Sequence, residues 1–362
     1  MHTGFIRLSA TGAGETAAEL WQQIRAQSES TGSTEMAATA IAVFDRTVYL
    51  SLPTTGHWSQ SSVVAVGVER LRAGPLLTHV ETPLGFSFRT HCQQGSTCRL
   101  QVDRTGAIDV RIGPTLVVRL QPGMFETPTY RTDLPQYSCR RFSVGSELLR
   151  THARLLAWLT DQGITDGIGH LDALQQCWPT PDQPSYDSAP SSFVNFVAAV
   201  VTAVAGPNHH LTATLPEPND QQTPRGTAVY DLSTPQSYLG YGPGATPAGD
   251  DVLAGLLVTL QGCSDDRLQG GVDQFTDRLL ADAENRSTAM SVALLTQAAT
   301  GRAAEPIRDC LDAVVDPQSS FETLKWAADA VLDIGHTSGA ASLAGMLTAT
   351  LVVFPHCHQH SR

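Results

Sequence analysis

Two acids in tandem, Asp250-Asp251, follow a stretch crowded with glycine and proline: Gly240-Tyr241-Gly242-Pro243-Gly244-Ala245-Thr246-Pro247-Ala248-Gly249. Glycine lets a backbone pass close to a ligand and take positive φ, while proline fixes the φ of a turn. An apolar segment with helical spacing, Val252-Leu253-Ala254-Gly255-Leu256-Leu257-Val258, comes next. Thr246-Pro247 or Gly249-Asp250 then supplies the cap and first turn of a helix. Such a loop aims N–H groups at one point, and Gly242, Gly244, Thr246 and Gly249 together predict a small-anion site. An ordinary capped helix after a Gly-Pro turn is the alternative. No Gly-Lys-Ser/Thr follows, so this is not a nucleotide P-loop, and no βαβ frame marks it as a dinucleotide fingerprint.

The carboxylates of Asp250 and Asp251 suit a first helical turn, where the macrodipole favours negative charge. Beside an anion site they oppose binding. Three arrangements remove the conflict: a divalent cation bridges them, the ligand offers N–H groups to them, or one of them points away. A carbamoyl or amide-bearing ligand fits the second.

A second segment has the same form. Residues 247–257 align without gaps on residues 337–347, with the glycine, Leu-Ala-Gly and final leucine coinciding. Each copy is a polar loop, a glycine and a helix whose internal glycine implies close helix–helix approach. The expectation is that both helix starts face one cleft. In the second loop His336 is placed to donate to a ligand oxygen or move a proton, and Thr337 or Ser338 either caps the helix or contacts ligand. Between the two copies, Asn285-Arg286-Ser287-Thr288 offers a cap and an Arg286 fork for a carboxylate or phosphate. Gly301-Arg302 reads as a helix end, with Arg302 a weaker ligand candidate.

The elements that must hold these loops divide the chain. Residues 1–142 read as an antiparallel β-rich domain. Its runs are 40–52 about an Asp45-Arg46 turn, 99–112 about Arg104-Thr105-Gly106, and a strand at 115–120. Residues 143–190 hold a helix (145–163) and a linker rich in Pro, Ser and Asp. Residues 191–362 read as a helical domain carrying the two glycine loop–helix units, with helices at 193–205, 252–260, 267–283, 288–300, 307–315, 321–334 and 341–353. The predicted class is α+β.

Asp plus Glu total 35 against 23 Lys plus Arg, a formal net charge of −12. Nucleic-acid binding runs on clustered Lys and Arg, so this balance argues against such a partner. The cysteines share no zinc-type spacing; Cys92 and Cys98, six apart, are expected to be free thiols rather than a disulfide or half-site. His209-His210 reads as a loop pair, and His356-Cys357-His358-Gln359-His360 as a frayed tail. No metal is expected. The first residues show no basic start followed by an apolar core, and no apolar run reaches a bilayer span. The expectation is a cytoplasmic protein without membrane contact.

Taken together, these motifs resemble a known family. Residues 242–255 resemble the Gly-x-Gly-Leu-Thr-Pro-Ser-Gly-Asp-Asp-Phe-Leu-x-Gly signature of the AllH (YlbF) family, formerly a family of unknown function. The resemblance continues through Asn285-Arg286-Ser287-Thr288, Ser291, Leu294, Leu295, Ala298, Gly301-Arg302 and Glu305-Pro306 to residues 334–339. It covers roughly residues 240–347. Ala245 and Ala248 replace the signature's leucine and serine, and the lost hydroxyl at 248 removes one ligand contact.

The resemblance implies a subunit of oxamate carbamoyltransferase, which splits oxalurate with phosphate into oxamate and carbamoyl phosphate in allantoin catabolism. FdrA-type and AllG-type subunits are the implied partners, and no cofactor is implied. On this reading Asp250, Asp251 and His336 serve the chemistry, with Gly242, Gly244, Thr246, Gly249, Asn285, Arg286, Thr337 and Ser338 around the ligand. A scaffold or regulatory chain, and a stand-alone binder of small anions, are the alternatives.

Overall fold

The computed structural model describes residues 5–53, 62–137, 146–178, 190–206 and 233–357. The linker stretch 179–189, His209-His210 and the tail from His358 lie outside the described residues. The chain forms two compact units, residues 1–133 with 302–305, and residues 134–301 with 306–362.

Alternation of apolar and polar residues builds the first unit. In β6 (Thr97–Val102) the side chains of Cys98, Leu100 and Val102 are buried while Thr97, Arg99 and Gln101 face out. That period-two pattern is what a sheet with one packed face requires. The hairpin to β7 (Ile108–Ile112) closes at Gly106, in the left-handed region at φ 78°. There Asp103 Oδ1 accepts the amides of Thr105 (2.8 Å) and Ala107 (3.2 Å). β8 (Leu116–Leu120) follows as expected, and β2 (Glu35–Val43) and β3 (Thr47–Ser51) flank the predicted turn at Asp45-Arg46.

With β1 (Ile6–Ala13), β4 (Val63–Val68) and β5 (Leu77–Val80), the strands close into a barrel of order β1-β5-β4-β3-β2-β6-β7-β8. The barrel is mixed, which corrects the antiparallel expectation: β4 and β5 pair in parallel, and so do β1 and β8. The chain between β4 and β5 returns to the same end of the barrel before the second strand starts. A closed ring needs an even number of direction reversals, so one parallel pair among eight pairings requires a second, and here it is β1 with β8. Side-chain alternation carries no information about strand direction. Helix α1 (Glu15–Thr31) packs on β4 and β5, with Trp21 Nε1 donating to Thr78 Oγ1 at 2.9 Å, and α2 (Pro122–Glu126) follows the barrel.

The second unit is helical among its described residues: α3 (Ser146–Asp161), α4 (His170–Cys177), α5 (Ser191–Ala205), α6 (Pro235–Tyr238), α7 (Ala248–Cys263), α8 (Asp266–Arg286), α9 (Ala289–Ala299), α10 (Glu305–Val315), α11 (Phe321–Leu332) and α12 (Ser338–Cys357). The class is α+β, as the sequence predicts. Helices α7 and α12 carry the two repeat copies and pack directly on each other. No helix among the described residues is long and apolar enough to cross a membrane.

Candidate functional site

The loop before α7 bends through Gly242 (φ 104°) and Gly244 (φ 117°), values that side-chain-bearing residues rarely adopt. Among the described residues, the amides of Gly242, Gly244, Ala245, Thr246 and Ala248 have no acceptor within the chain. The amide of Gly249 donates to the Tyr241 carbonyl (2.9 Å), and a side chain at 249 would run into the Tyr238 carbonyl. Gly249 is therefore a packing residue, and its N–H is already in use.

The adjacent acids differ. Asp250 is buried and its carboxylate is committed within the protein: Oδ1 accepts the Gly240 amide at 2.8 Å, Oδ2 accepts the Ser287 hydroxyl, and Ser291 also bonds it. These bonds fasten the loop to the start of α9. Burial raises the Asp250 carboxyl above its ordinary value, with the Ser287, Gly240 and Ser291 hydrogen bonds working against that rise. Thr288, the cap of α9, accepts the Ser291 amide (3.1 Å) and donates to the Ala245 carbonyl (2.7 Å), adding a second fastening.

Asp251 is only 6% exposed, and its Oδ2 has no hydrogen-bond partner. Burial pushes its carboxyl up to about 7, against hydrogen bonds from Ser338 and Thr246 that lower it; the neighbouring Asp250 charge raises it further. Near neutral pH both forms of Asp251 are populated. An ionised Asp251 accepts an N–H, and a protonated one donates to an anionic oxygen. Protonation is a fourth way out of the conflict between a carboxylate and an anion site.

The two helix starts do meet. Thr246 Oγ1 and Ser338 Oγ lie 3.1 Å apart, and both bond Asp251. A third loop, not read from the sequence as part of this region, lies against both: a Cβ on Gly242 would touch Ile168 Cγ2 (3.6 Å), and one on Gly167 would touch Thr337 Cγ2 (3.5 Å). Asp166 shapes that loop by accepting the amides of Ile168, Gly169 and Leu171 (3.0, 2.8 and 2.6 Å). Asp-Gly-Ile-Gly was its visible signal, a carboxylate followed by two glycines that both take positive φ.

His336, Asn285 and Arg286 are exposed, so no packing fixes their side chains. The Arg286 carbonyl lies against Gly240, which puts this part of the backbone beside the loop. Arg302 belongs to the first unit, where it bonds Glu19 (3.0 Å), Asp133 (3.4 Å) and Thr16 (3.0 Å) and stands 3.6 Å from Glu15. Those ion pairs account for it without a ligand. Among the described residues no three His, Cys, Asp or Glu side chains gather to hold a metal, and Cys92 and Cys98 are buried free thiols.

His170, overlooked in the sequence, is fully buried beneath this region. Its Nε2 lies 2.9 Å from Thr348 Oγ1 and its Nδ1 2.7 Å from the Tyr238 hydroxyl. The Thr348 proton goes to the Ala344 carbonyl (2.8 Å), so Nε2 carries the imidazole proton and Nδ1 accepts from Tyr238. Burial lowers His170 to about 3, and the ring stays neutral.

The glycine loop, the paired acids, the Thr288 cap and the second glycine helix start thus occur in one order and one place. Residues 238–350 match the family of the oxamate carbamoyltransferase subunit AllH. The matched region begins at Tyr238 and ends within α12, so it takes in both repeat copies and leaves the barrel outside. No solved structure matches the chain.

Proposed function

We propose that the chain is an AllH-like subunit of a carbamoyltransferase complex, binding a small anionic, amide-bearing substrate where the starts of α7 and α12 meet. The unpartnered Oδ2 of buried Asp251, beside Thr246 and Ser338, carries this reading. A carboxylate oxygen that is neither solvated nor hydrogen-bonded costs free energy unless something supplies a donor or a proton. A carbamoyl group supplies N–H donors to Asp251. The free amides of Gly242 and Gly244, with the Thr246 hydroxyl, serve the anionic end of the ligand.

The proposed reaction is that of oxalurate with phosphate, giving oxamate and carbamoyl phosphate in purine breakdown. Phosphate oxygen attacks the carbamoyl carbon, an oxyanion forms, and the bond to the oxamate nitrogen breaks as that nitrogen takes a proton. Preorganised N–H donors stabilise the developing oxyanion. Asp251, able to hold or release a proton near neutral pH, is the candidate for the transfer to nitrogen. Asp250 positions the loop. His336, Asn285, Arg286 and Thr337 contact substrate from the surrounding surface. The chain works in the cytoplasm with FdrA-like and AllG-like subunits, and the chemistry calls for no cofactor.

A scaffolding role is the second reading. What favours it is how much of the loop's bonding is internal, with Asp250 and Thr288 both committed to backbone and serine partners. Reconstitution decides between them. Co-purified with FdrA-like and AllG-like subunits, the wild-type chain should support carbamoyl phosphate formation from oxalurate and phosphate, and Asp251→Asn should abolish it without dissolving the complex. Full activity with Asp251→Asn would leave the scaffold.

A further inference from the structure

The outer face of the barrel carries a second cluster, far in character from an acidic protein's average surface. Outward residues of adjacent strands fall in register as a row: Arg7 on β1 pairs with Val117 on β8, Val117 with Arg111 on β7, and Arg111 with Arg99 on β6. Arg99 and Arg111 are thus directly opposed like charges, an arrangement that destabilises a sheet. The neighbouring row on the same face shows the usual remedy. Asp109 and Arg119 stand opposite each other and bond at 2.8 Å, and Arg119 also bonds Asp103.

The arginine row is not neutralised in that way. Arg99 has Glu35 at 3.4 Å, while Arg7 and Arg111 have no carboxylate within ion-pair distance among the described residues. Between them a cleft of about 280 Å³ opens, lined by Val117 and Phe5 beside the arginines; Glu35 and Asp109 also line it, each ion-paired already, with Arg99 and Arg119. The Arg111 guanidinium lies 5.1 Å from the centre of the Phe5 ring, which fixes the fork while leaving its N–H edges available. Two strand spacings separate the backbones of Arg7 and Arg111, roughly 10 Å. Each guanidinium fork matches a carboxylate bidentately.

We infer that this cleft is a binding site for a short dicarboxylate, one acid group on Arg7, the other on Arg111, and the carbon spacer over Val117 and Phe5. Val117 and Phe5 offer a carbon spacer apolar contact that a bare inorganic anion cannot use, which favours two carboxylates joined by carbon. The site lies wholly within the first unit and is independent of the function proposed for residues 238–350.

Titration calorimetry of the full chain with malonate, succinate, acetate and inorganic phosphate at constant ionic strength tests it. Saturable binding of malonate or succinate is expected, weakened by about tenfold or more in both Arg7→Gln and Arg111→Gln, since each removes one bidentate charged contact. Both side chains are exposed, so the variants should stay folded, with Arg7→Gln near the wild-type melting temperature and Arg111→Gln at or above it, because it relieves the repulsion from Arg99. Asp251→Asn should leave this binding unchanged, which separates it from the other site. No saturable binding, phosphate or acetate binding as tightly as the dicarboxylates, or unaltered affinity in both arginine variants would overturn the inference.

Discussion

Gly255 and Gly345 occupy equivalent positions in the two repeat copies, and each faces the backbone of the other's helix. A Cβ on Gly255 would overlap the Ser342 carbonyl oxygen, and one on Gly345 would overlap that of Val252, itself the repeat equivalent of Ser342. This reciprocal contact, with the Thr246–Ser338 pair at the helix starts, seats α7 against α12. Gly255→Ala or Gly345→Ala should destabilise the protein by about 1–3 kcal/mol or more, because a methyl group has nowhere to go against backbone. Urea unfolding measures it; a neutral or stabilising outcome would show that the helices part easily.

Asp251 gives the protein a pH dependence of defined sign. Its folded value of about 7 lies above the ordinary 3.8, so between those values the native state holds the extra proton and stability falls as pH rises. The difference is fully developed above about pH 7 and is of the order of 4 kcal/mol. Asp251→Asn removes it. Subtracting the variant's stability profile from the wild type's should leave a curve that declines from pH 4 to pH 8; a flat difference would mean that Asp251 is solvated in the native protein.

The buried histidines work in the opposite direction. His170 at about 3 and His152 at about 4 are depressed from 6.5 by burial, so their contribution is present above 6.5 and lost as pH falls through the folded values. His170→Gln should make the acid side of the profile shallower. It should also lower stability at pH 7 by about 1–3 kcal/mol, since Tyr238 and Thr348 lose a fitted partner. An acid limb unchanged from wild type would place the responsible groups elsewhere.

Arg302 provides a control. With Glu15 nearly buried beside it, Arg302→Gln should lower stability, yet leave the binding proposed for residues 238–350 untouched. Loss of binding with unchanged stability would restore it as a ligand residue.

Much of this was legible in the sequence. The hairpin at Arg104-Thr105-Gly106 and the strand after it follow from alternation, and the helices from 248 to 357 follow from apolar spacing. The repeat, read from eleven aligned residues, predicted the close packing at Gly255 and Gly345; it also put both helix starts on one cleft, and what the structure shows of that is their proximity, through the Thr246–Ser338 contact. Strand direction was not legible, because parallel and antiparallel strands alternate alike. β1, with its outward Arg7, and α1 were not singled out, although Ile6–Ala13 alternates. Within the site, the different fates of Asp250 and Asp251 depend on Ser287 and Ser338, which are 37 and 87 residues away in the chain. Composition could mark the tandem acids, but only the packing of α9 and α12 distinguishes a carboxylate with both oxygens committed from one whose Oδ2 is left unpartnered.

The most direct test of the central claim is calorimetric titration of oxamate and carbamoyl phosphate into the isolated chain, beside Asp251→Asn and Gly244→Val. Saturable binding by the wild type, weakened at least about tenfold in Asp251→Asn and lost in Gly244→Val, is the predicted result. Equal binding by all three proteins, or none by the wild type, would contradict it.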